Sequence, residues 1–284
     1  MPPSPPPPSN VPLELDLPFA MDSEWRVASC AHPGMRRDHN EDAVTFACGT
    51  TPRGQPFRVL VACDGVSTGS RAEQASQIAA RMIRDTLARF CLGATPLDGA
   101  RNAMAAAIAE AHAEICAQGS DPGSTEPPGT TCVAALVLRD RLTVGWVGDS
   151  RAYWLTDRGV ELLTRDHSWV NEAVASGEAT LAEALRAPHA HALTRCLGPH
   201  EPGEVPPPVH ADVITRRLGD RGTLVLCTDG LWNYYPIPEQ MAGLVQRCGP
   251  GPTADRLARF LVHKALARGG HDNVSVAVYS HLPG

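Results

Sequence analysis

The sequence predicts an α+β fold in which strands and helices form layers rather than regular βαβ units. Three observations carry this expectation. Six short apolar runs have strand length: 57–63, 132–138, 142–147, 152–155, 223–227 and 274–279. Three longer stretches, 70–92, 97–118 and 253–268, carry apolar residues at helical spacing. These elements also come in runs, with two helices in succession and then three strands, so no βαβ alternation develops.

Length and composition set the frame. A chain of 284 residues buries a substantial core without disulfides. With 43% hydrophobic and 20% charged residues, it reads as globular rather than globally disordered. The formal net charge is −6 and no long Lys/Arg run occurs, which argues against general nucleic-acid or membrane binding. No apolar stretch reaches the roughly eighteen residues of a transmembrane helix. The nine cysteines form no CxxC pair, so a zinc ribbon or thioredoxin-type centre is not expected. Their odd count and scattered placement favour a reducing compartment. The first residues show no basic region followed by an apolar one, so no secretory signal is read. A cytoplasmic, monomeric protein is expected.

The elements follow in order. Eight of the first twenty residues are proline, which lacks the N–H for helix or ladder bonds. Residues 1–22 therefore read as a disordered leader of polyproline type, the other reading being a ligand for a proline-binding module. Residues 23–284 read as the folded domain. FRVLVAC at 57–63 is a buried strand. Ala75, Ile78, Met82, Ile83, Leu87 and Phe90 mark the first helix, with Ser67 and Thr68 as possible caps. Met104, Ile108, Ala111 and Ile115 mark the second. The Gly, Pro and Ser content of 119–129 makes it a loop. Arg139-Asp140 reads as the turn between the strands on either side. A helical, polar unit at about 166–198 reads as an insertion beside the core, with Thr180 and Glu183 as a capping box. Thr253 caps the last helix and Gly269 stops it. Val274, Val276 and Val278 share one face of the last strand.

The acidic residues carry the functional argument. Asp64-Gly65 follows the apolar run LVAC, Gly148-Asp149-Ser150 follows VGWV, and Asp229-Gly230 follows LVLCT. Asp272-Asn273 opens the final strand, and Arg36-Arg37-Asp38-His39-Asn40-Glu41-Asp42 holds a further acidic group. A single Asp-Gly after a strand is ordinarily a turn. Recurrence at the ends of central strands points instead to carboxylates converging at one end of a sheet. Their mutual repulsion then needs compensation, and a pair of divalent cations supplies it most simply. An all-oxygen set suits Mg²⁺ or Mn²⁺ rather than zinc. Two such ions clamp a phosphoryl group and ionise a water.

These segments resemble the metal-dependent protein phosphatases of the protein phosphatase 2C type, in their bacterial form. The stretch from Gly34 to Ala43 is similar to the family's opening motif. Asp64-Gly65, Gly129-Thr130-Thr131, Gly148-Asp149-Ser150-Arg151, Asp166-His167-Ser168, Leu193-Thr194-Arg195-Cys196-Leu197-Gly198, Thr228-Asp229-Gly230-Leu231-Trp232 and Asp272-Asn273-Val274 are similar to later motifs. They come in the family's order across about residues 25–280. The resemblance implies two packed antiparallel sheets with helices on both outer faces and a flap at about 166–198. It also implies two Mn²⁺ or Mg²⁺ ions per chain. Asp64 would bridge them, the Gly65 carbonyl would bind one, Asp42 would reach the centre directly or through water, and Asp229 and Asp272 would hold the other. Glu41 would act through a metal-bound water, and Arg37 would clamp the substrate phosphate. The implied activity is hydrolysis of phosphoserine and phosphothreonine in proteins by a bridging hydroxide, opposing a Ser/Thr kinase. No cysteine nucleophile is needed, and Cys63 and Cys227 read as core residues.

Two departures from the family pattern stand out. Asn233 occupies a position where family members often carry an Asp of a third metal site. Asp149 is left with two readings, ligand of a weak third ion or hairpin residue. After Asp64-Gly65 comes Val66-Ser67-Thr68-Gly69, with no histidine to protonate the leaving group; His39 or a metal-bound water are the alternatives. His167, His189 and His191 read as exposed loop residues rather than substrate contacts. Arg165 and Arg195 read either as phosphopeptide contacts or as packing residues, and Trp146 and Trp232 as core. The competing functional readings are an inactive pseudophosphatase that binds a partner, and a two-metal hydrolase of smaller phosphoesters.

Overall fold

Alternation along the strands builds the layers. In β4 (Pro56–Cys63), Phe57, Val59, Val61 and Cys63 enter one buried cluster while Leu60 and Ala62 enter another. Successive strand residues point to opposite faces, so a strand apolar throughout needs cover on both sides. β5 (Cys132–Leu138), β10 (Gly222–Cys227) and β11 (Val274–His281) divide their side chains in the same way. The structure is a computed structural model that describes residues 19–22, 24, 26–66, 71–93, 99–119, 128–198, 206–219 and 221–282.

Two antiparallel sheets result. One contains, in spatial order, β1 (Phe19–Met21), β2 (Val27–His32), β11, β10, β7 (Arg151–Thr156) and β8 (Gly159–Leu162). The other runs β3 (Ala43–Thr50), β4, β5, β6 (Arg141–Val147) and β9 (Asp212–Arg217). Leu60, Leu142, Val144, Leu224, Leu226 and Ala277 fill the space between them. α1 (Ala72–Leu92) and α2 (Ala100–Gly119) cover the five-stranded sheet through Ile83, Leu87, Met104, Ile108 and Ile115. α6 (Pro238–Arg247) and α7 (Ala254–Leu266) cover the six-stranded sheet through Met241, Leu244, Leu257, Leu261 and Val262. The α+β sandwich with helices on both outer faces is thus what the structure shows.

Register gathers the functional strand ends. Ala43 pairs with Cys63, Cys132 with Val147, and Cys227 with both Arg151 and Val276. Asp42, Asp64, Thr131, Gly148, Ser150 and Thr228 each lie one residue beyond these strand ends. The Arg139-Asp140 turn forms as expected, with Arg139 at φ 58°.

Some expectations need correction. Residues 19–21, assigned by sequence to the leader, form β1, which pairs with β2 from Phe19↔Cys30 to Met21↔Ala28. The Asp22 carboxylate closes the connection by accepting from the N–H groups of Arg26 and Val27. The rest of the leader, residues 1–18, lies outside the described residues, as do Ser67 and Thr68 and most of the loop 119–129. Thr253 occupies the N-cap position of α7, but its side chain makes no capping bond. Strands β2, β3, β8 and β9 carry no strong apolar signal: β2 is built mainly of small and polar residues (VASCAH), β3 and β8 are only partly buried, and β9 is an edge.

Between β8 and β9 the chain forms α3 (Trp169–Ser176) and α4 (Leu181–Ala184). Thr180 and Glu183 make the capping box reciprocally, with the Thr180 N–H donating to Glu183 Oε2 at 2.9 Å. Val170, Ala184 and Ala190 give this segment a small cluster of its own. Bridges Ser168↔Leu193 and Thr130↔Leu197 fasten it to itself and to the sheet end.

Candidate metal centre

Asp64 leaves β4 held on its backbone side. Its N–H donates to Thr131 Oγ1 at 3.1 Å, and its carbonyl accepts from the Thr131 N–H and the Thr130 hydroxyl, both at 2.8 Å. Thr131 Oγ1 also meets Ser150 Oγ at 2.8 Å. The Gly-Thr-Thr segment thus fixes Asp64 and ties it to the turn carrying Asp149. Gly65 sits where a side chain has no room. A Cβ there would lie 2.5 Å from the Glu41 carbonyl oxygen and 2.8 Å from that of Ala72.

Asp42 precedes β3 and is 7% exposed. Its Oδ2 accepts from the Thr228 hydroxyl at 2.8 Å, and Thr228 Oγ1 in turn accepts from the Ser275 N–H at 3.0 Å. Asn273 organises the loop around Glu41. Its Oδ1 accepts from the Glu41 N–H at 2.7 Å, and its Nδ2 donates to the carbonyls of Pro33 and His39, each at 2.8 Å. Neither Thr228 nor Asn273 was singled out from the sequence, although both sit inside the quoted motifs beside an Asp. Their polarity within otherwise apolar strand ends was the only available signal.

Asp229 opens the short helix α5 (Asp229–Trp232). Its Oδ2 accepts from Asn233 Nδ2 at 3.0 Å. The helix packs against Asn273 so closely that a Cβ on Gly230 would fall 1.8 Å from the Asn273 carbonyl oxygen. Asp272 Oδ2 pairs with Arg37 Nη2 at 3.0 Å, and half of the Arg37 side chain remains exposed. Asp149 lies in the β6–β7 turn beside Gly148, which has φ 100°. His39 is exposed and contributes its carbonyl to Asn273.

The carboxyl groups repel one another. Burial, then Asp42, Asp229 and Asp149, hold the Asp64 carboxyl well above the usual carboxylate range. Burial raises Asp42 too, with Asp229 and Asp272 adding to it against the Thr228 hydrogen bond. Asp149 is pushed up to about 8 by burial, Asp229 and Asp166. Asp229 is raised by burial and by Asp272, against its contacts with Asp64 and Asn233. Asp42, Asp64, Asp149, Asp229 and Asp272 therefore share one electrostatic neighbourhood.

The donor set fits a hard cation. It offers carboxylate oxygens and the Gly65 carbonyl, with buried negative charge that only protons or cations neutralise. Among the described residues no three His, Cys, Asp or Glu side chains close into a ready-made cage. Asp272 is turned to Arg37, Asp42 to Thr228, and Asp229 to Asn233. Few carboxylates per ion, with water completing the shell, is the pattern magnesium-type ions accept.

The segment 166–198 differs from expectation at its entry. His167 is 4% exposed, not a loop histidine at the surface. Its Nδ1 accepts from the Gly148 N–H at 3.0 Å, which leaves Nε2 to donate to Asp212 Oδ2 at 3.1 Å. Its ring stacks on Trp146 at 6.3 Å. His189 and His191 are exposed, and His189 packs edge-on against Trp169. Arg165 donates to the Asn171 carbonyl at 2.6 Å, and Arg195 lies 3.9 Å from Asp212. Trp146 and Trp232 are buried.

A family model for protein phosphatase 2C matches residues 36–274. The chain belongs to the protein phosphatase 2C family. This phosphatase is 29% identical over 243 residues to the serine/threonine phosphatase stp of Listeria monocytogenes, covering 86% of this chain and 90% of that protein. It is 30% identical to the serine/threonine protein phosphatase PstP of Mycobacterium tuberculosis, covering 89% of this chain and 44% of PstP. The serine/threonine phosphatase of S. agalactiae superposes with a TM-score of 0.73 at 26% identity, over 93% of this chain and all of that one. The catalytic domain of PstP, solved with two manganese ions, superposes with a TM-score of 0.69 at 28% identity, over 91% and 98% of the two chains. The protein is accordingly a serine/threonine protein phosphatase.

Proposed function

We propose that this phosphatase hydrolyses phosphoserine and phosphothreonine in proteins at a centre holding two Mn²⁺ or Mg²⁺ ions, in opposition to a Ser/Thr kinase. The observation that carries the reading is the convergence of Asp42, Asp64, Asp229 and Asp272 from both sheets into one mutually repelling cluster. Asp64, Asp42 and the Gly65 carbonyl would hold one side of the centre, and Asp229 and Asp272 the other, with Asp64 shared. When bound, the ions supply positive charge to the cluster and activate a water for attack on phosphorus. Glu41 would act through water, since Asn273 holds its backbone beside Asp42. Arg37 would turn its exposed guanidinium from Asp272 to two phosphate oxygens, a match its planar fork allows. Asn233, a neutral donor to Asp229, would supply no carboxylate to a third ion.

The PstP domain solved with two manganese ions supports manganese as the first ion to test. None of the nine cysteines forms a disulfide, the state a reducing compartment maintains. Among the described residues no helix is long and apolar enough to cross a membrane. The burial of Cys63 and Cys227 raises both thiols, which suits core residues and not nucleophiles.

Turnover of a phosphothreonine peptide by the unaltered chain and by Asp229→Asn, with and without Mn²⁺, tests the reading. Metal-dependent turnover and near-complete loss in the variant are expected. Equal rates for the two proteins, or turnover indifferent to chelation, would overturn it.

A further inference from the structure

One guanidinium at the root of the flap segment joins four parts of the chain. Arg151, the first residue of β7, donates from Nε to Asp166 Oδ1 at 3.0 Å and Oδ2 at 3.2 Å, and from Nη2 to Oδ2 at 2.7 Å. Its Nη1 donates to the Pro236 carbonyl at 3.0 Å and to the Tyr153 hydroxyl at 3.3 Å. Its Cζ lies 3.8 Å from the centre of the Trp232 ring. The Arg151 and Asp166 side chains are 11% and 8% exposed. A fork matched to a carboxylate and stacked on an indole is a geometry that lysine does not reproduce.

The partners belong to parts with different duties. Asp166 opens the segment 166–198, and its carbonyl accepts from Asn171 Nδ2 in α3. Trp232 closes α5, whose first residue is Asp229. Pro236 follows the stretch containing Asn233, the donor to Asp229. Arg151 itself follows the Asp149-Ser150 turn and pairs with Cys227, two residues before Asp229. A buried ion pair gives up hydration and is weak as general stabilisation. Here its hydrogen bonds reach the flap entry at Asp166 and the Pro236 carbonyl, and its stack on Trp232 reaches α5.

We propose that Arg151 is a positioning residue that couples the seating of the flap segment 166–198 to metal binding by Asp229 on α5. The inference rests on the metal-centre reading above. Neither Arg151 nor Asp166 needs to touch an ion. Loosening their contact lets Trp232 and the 233–236 stretch shift, and Asp229 shifts with them. Coupling is reciprocal, so metal binding also steadies α3.

Mn²⁺ titration by calorimetry, paired with amide hydrogen exchange, tests this on the full chain, Arg151→Lys, Asp166→Asn and the double variant. Each single variant is expected to bind Mn²⁺ about tenfold more weakly, the size seen when residues that orient metal ligands are altered. The double variant should be no weaker than the weaker single one, because both changes break one contact. Mn²⁺ should slow exchange in α3 of the unaltered chain and lose that effect in the variants. A purely structural role would lower the thermal midpoint and leave Mn²⁺ affinity within about twofold, and that result overturns the proposal. Additive losses in the double variant overturn it as well. If Arg151→Lys does not fold, the isosteric Asp166→Asn carries the test. An unaltered chain that takes up no Mn²⁺ overturns the metal-centre reading and the coupling with it, whereas uptake with unchanged variants overturns the coupling alone.

Discussion

Thr228 has no acid–base chemistry of its own, yet its hydroxyl is where the two sheets meet at the centre. It donates to Asp42 from one sheet and accepts from the Ser275 N–H of the other. Thr228 is fully buried, so no water replaces either bond. Thr228→Val keeps the shape and leaves a carboxylate oxygen and an N–H unsatisfied. A loss of about 1–3 kcal/mol in urea unfolding is expected, since each orphaned buried group loses its hydration. A variant as stable as the parent would show that Asp42 finds another donor. Single residues also explain what sequence alone missed here. Thr228 and Asn273 read as letters of a motif until the fold brought them against Asp42 and Glu41.

At the scale of elements, β4 carries the largest responsibility. Its pleat sends Val59, Val61 and Cys63 to the helix side and Leu60 and Ala62 to the space between the sheets. Asp64 follows the last strand residue, Cys63, so a slip of one residue would reverse every face and aim Asp64 away from the cluster. Leu60 is fully buried. Leu60→Ala should lower stability by about 2–5 kcal/mol through lost contacts and an unfilled cavity. The same unfolding experiment checks it, and a change under about 1 kcal/mol would mean that the sheets close over the gap. Strands of this kind were legible because both faces are apolar. The edge strand β9 and the half-buried β3 were not, since neighbours rather than their own residues give them a partner.

Across the whole molecule, the cluster predicts a stability that responds to protons and, on the metal-centre proposal, to cations. Asp42, Asp64, Asp149 and Asp229 all have carboxyl groups raised above 3.8 in the folded state, Asp149 to about 8. A raised carboxyl binds protons more readily folded than unfolded. Its stabilising effect is therefore complete below the unfolded value and is lost as pH rises through the folded one. In chelator, the thermal midpoint should fall between about pH 4 and pH 8. Saturating Mn²⁺ should raise the midpoint most at the upper end of that range, because bound cations take over the role of the protons. Thermal scans at several pH values with and without Mn²⁺ measure both effects. A midpoint that rises with pH in chelator would contradict the shared electrostatic neighbourhood.

The layered α+β class, the central strands and the acidic residues at their ends are legible in the order of residues alone. Those features follow from local periodicity and from turn chemistry, which need no distant partner. The folded packing reveals that residues 19–21 extend the six-stranded sheet, that His167 is buried against Trp146, and that Arg151 clasps Asp166 above Trp232. Each of these depends on side chains far apart in the chain meeting in space, and register between strands, not the order of residues, fixes which ones meet.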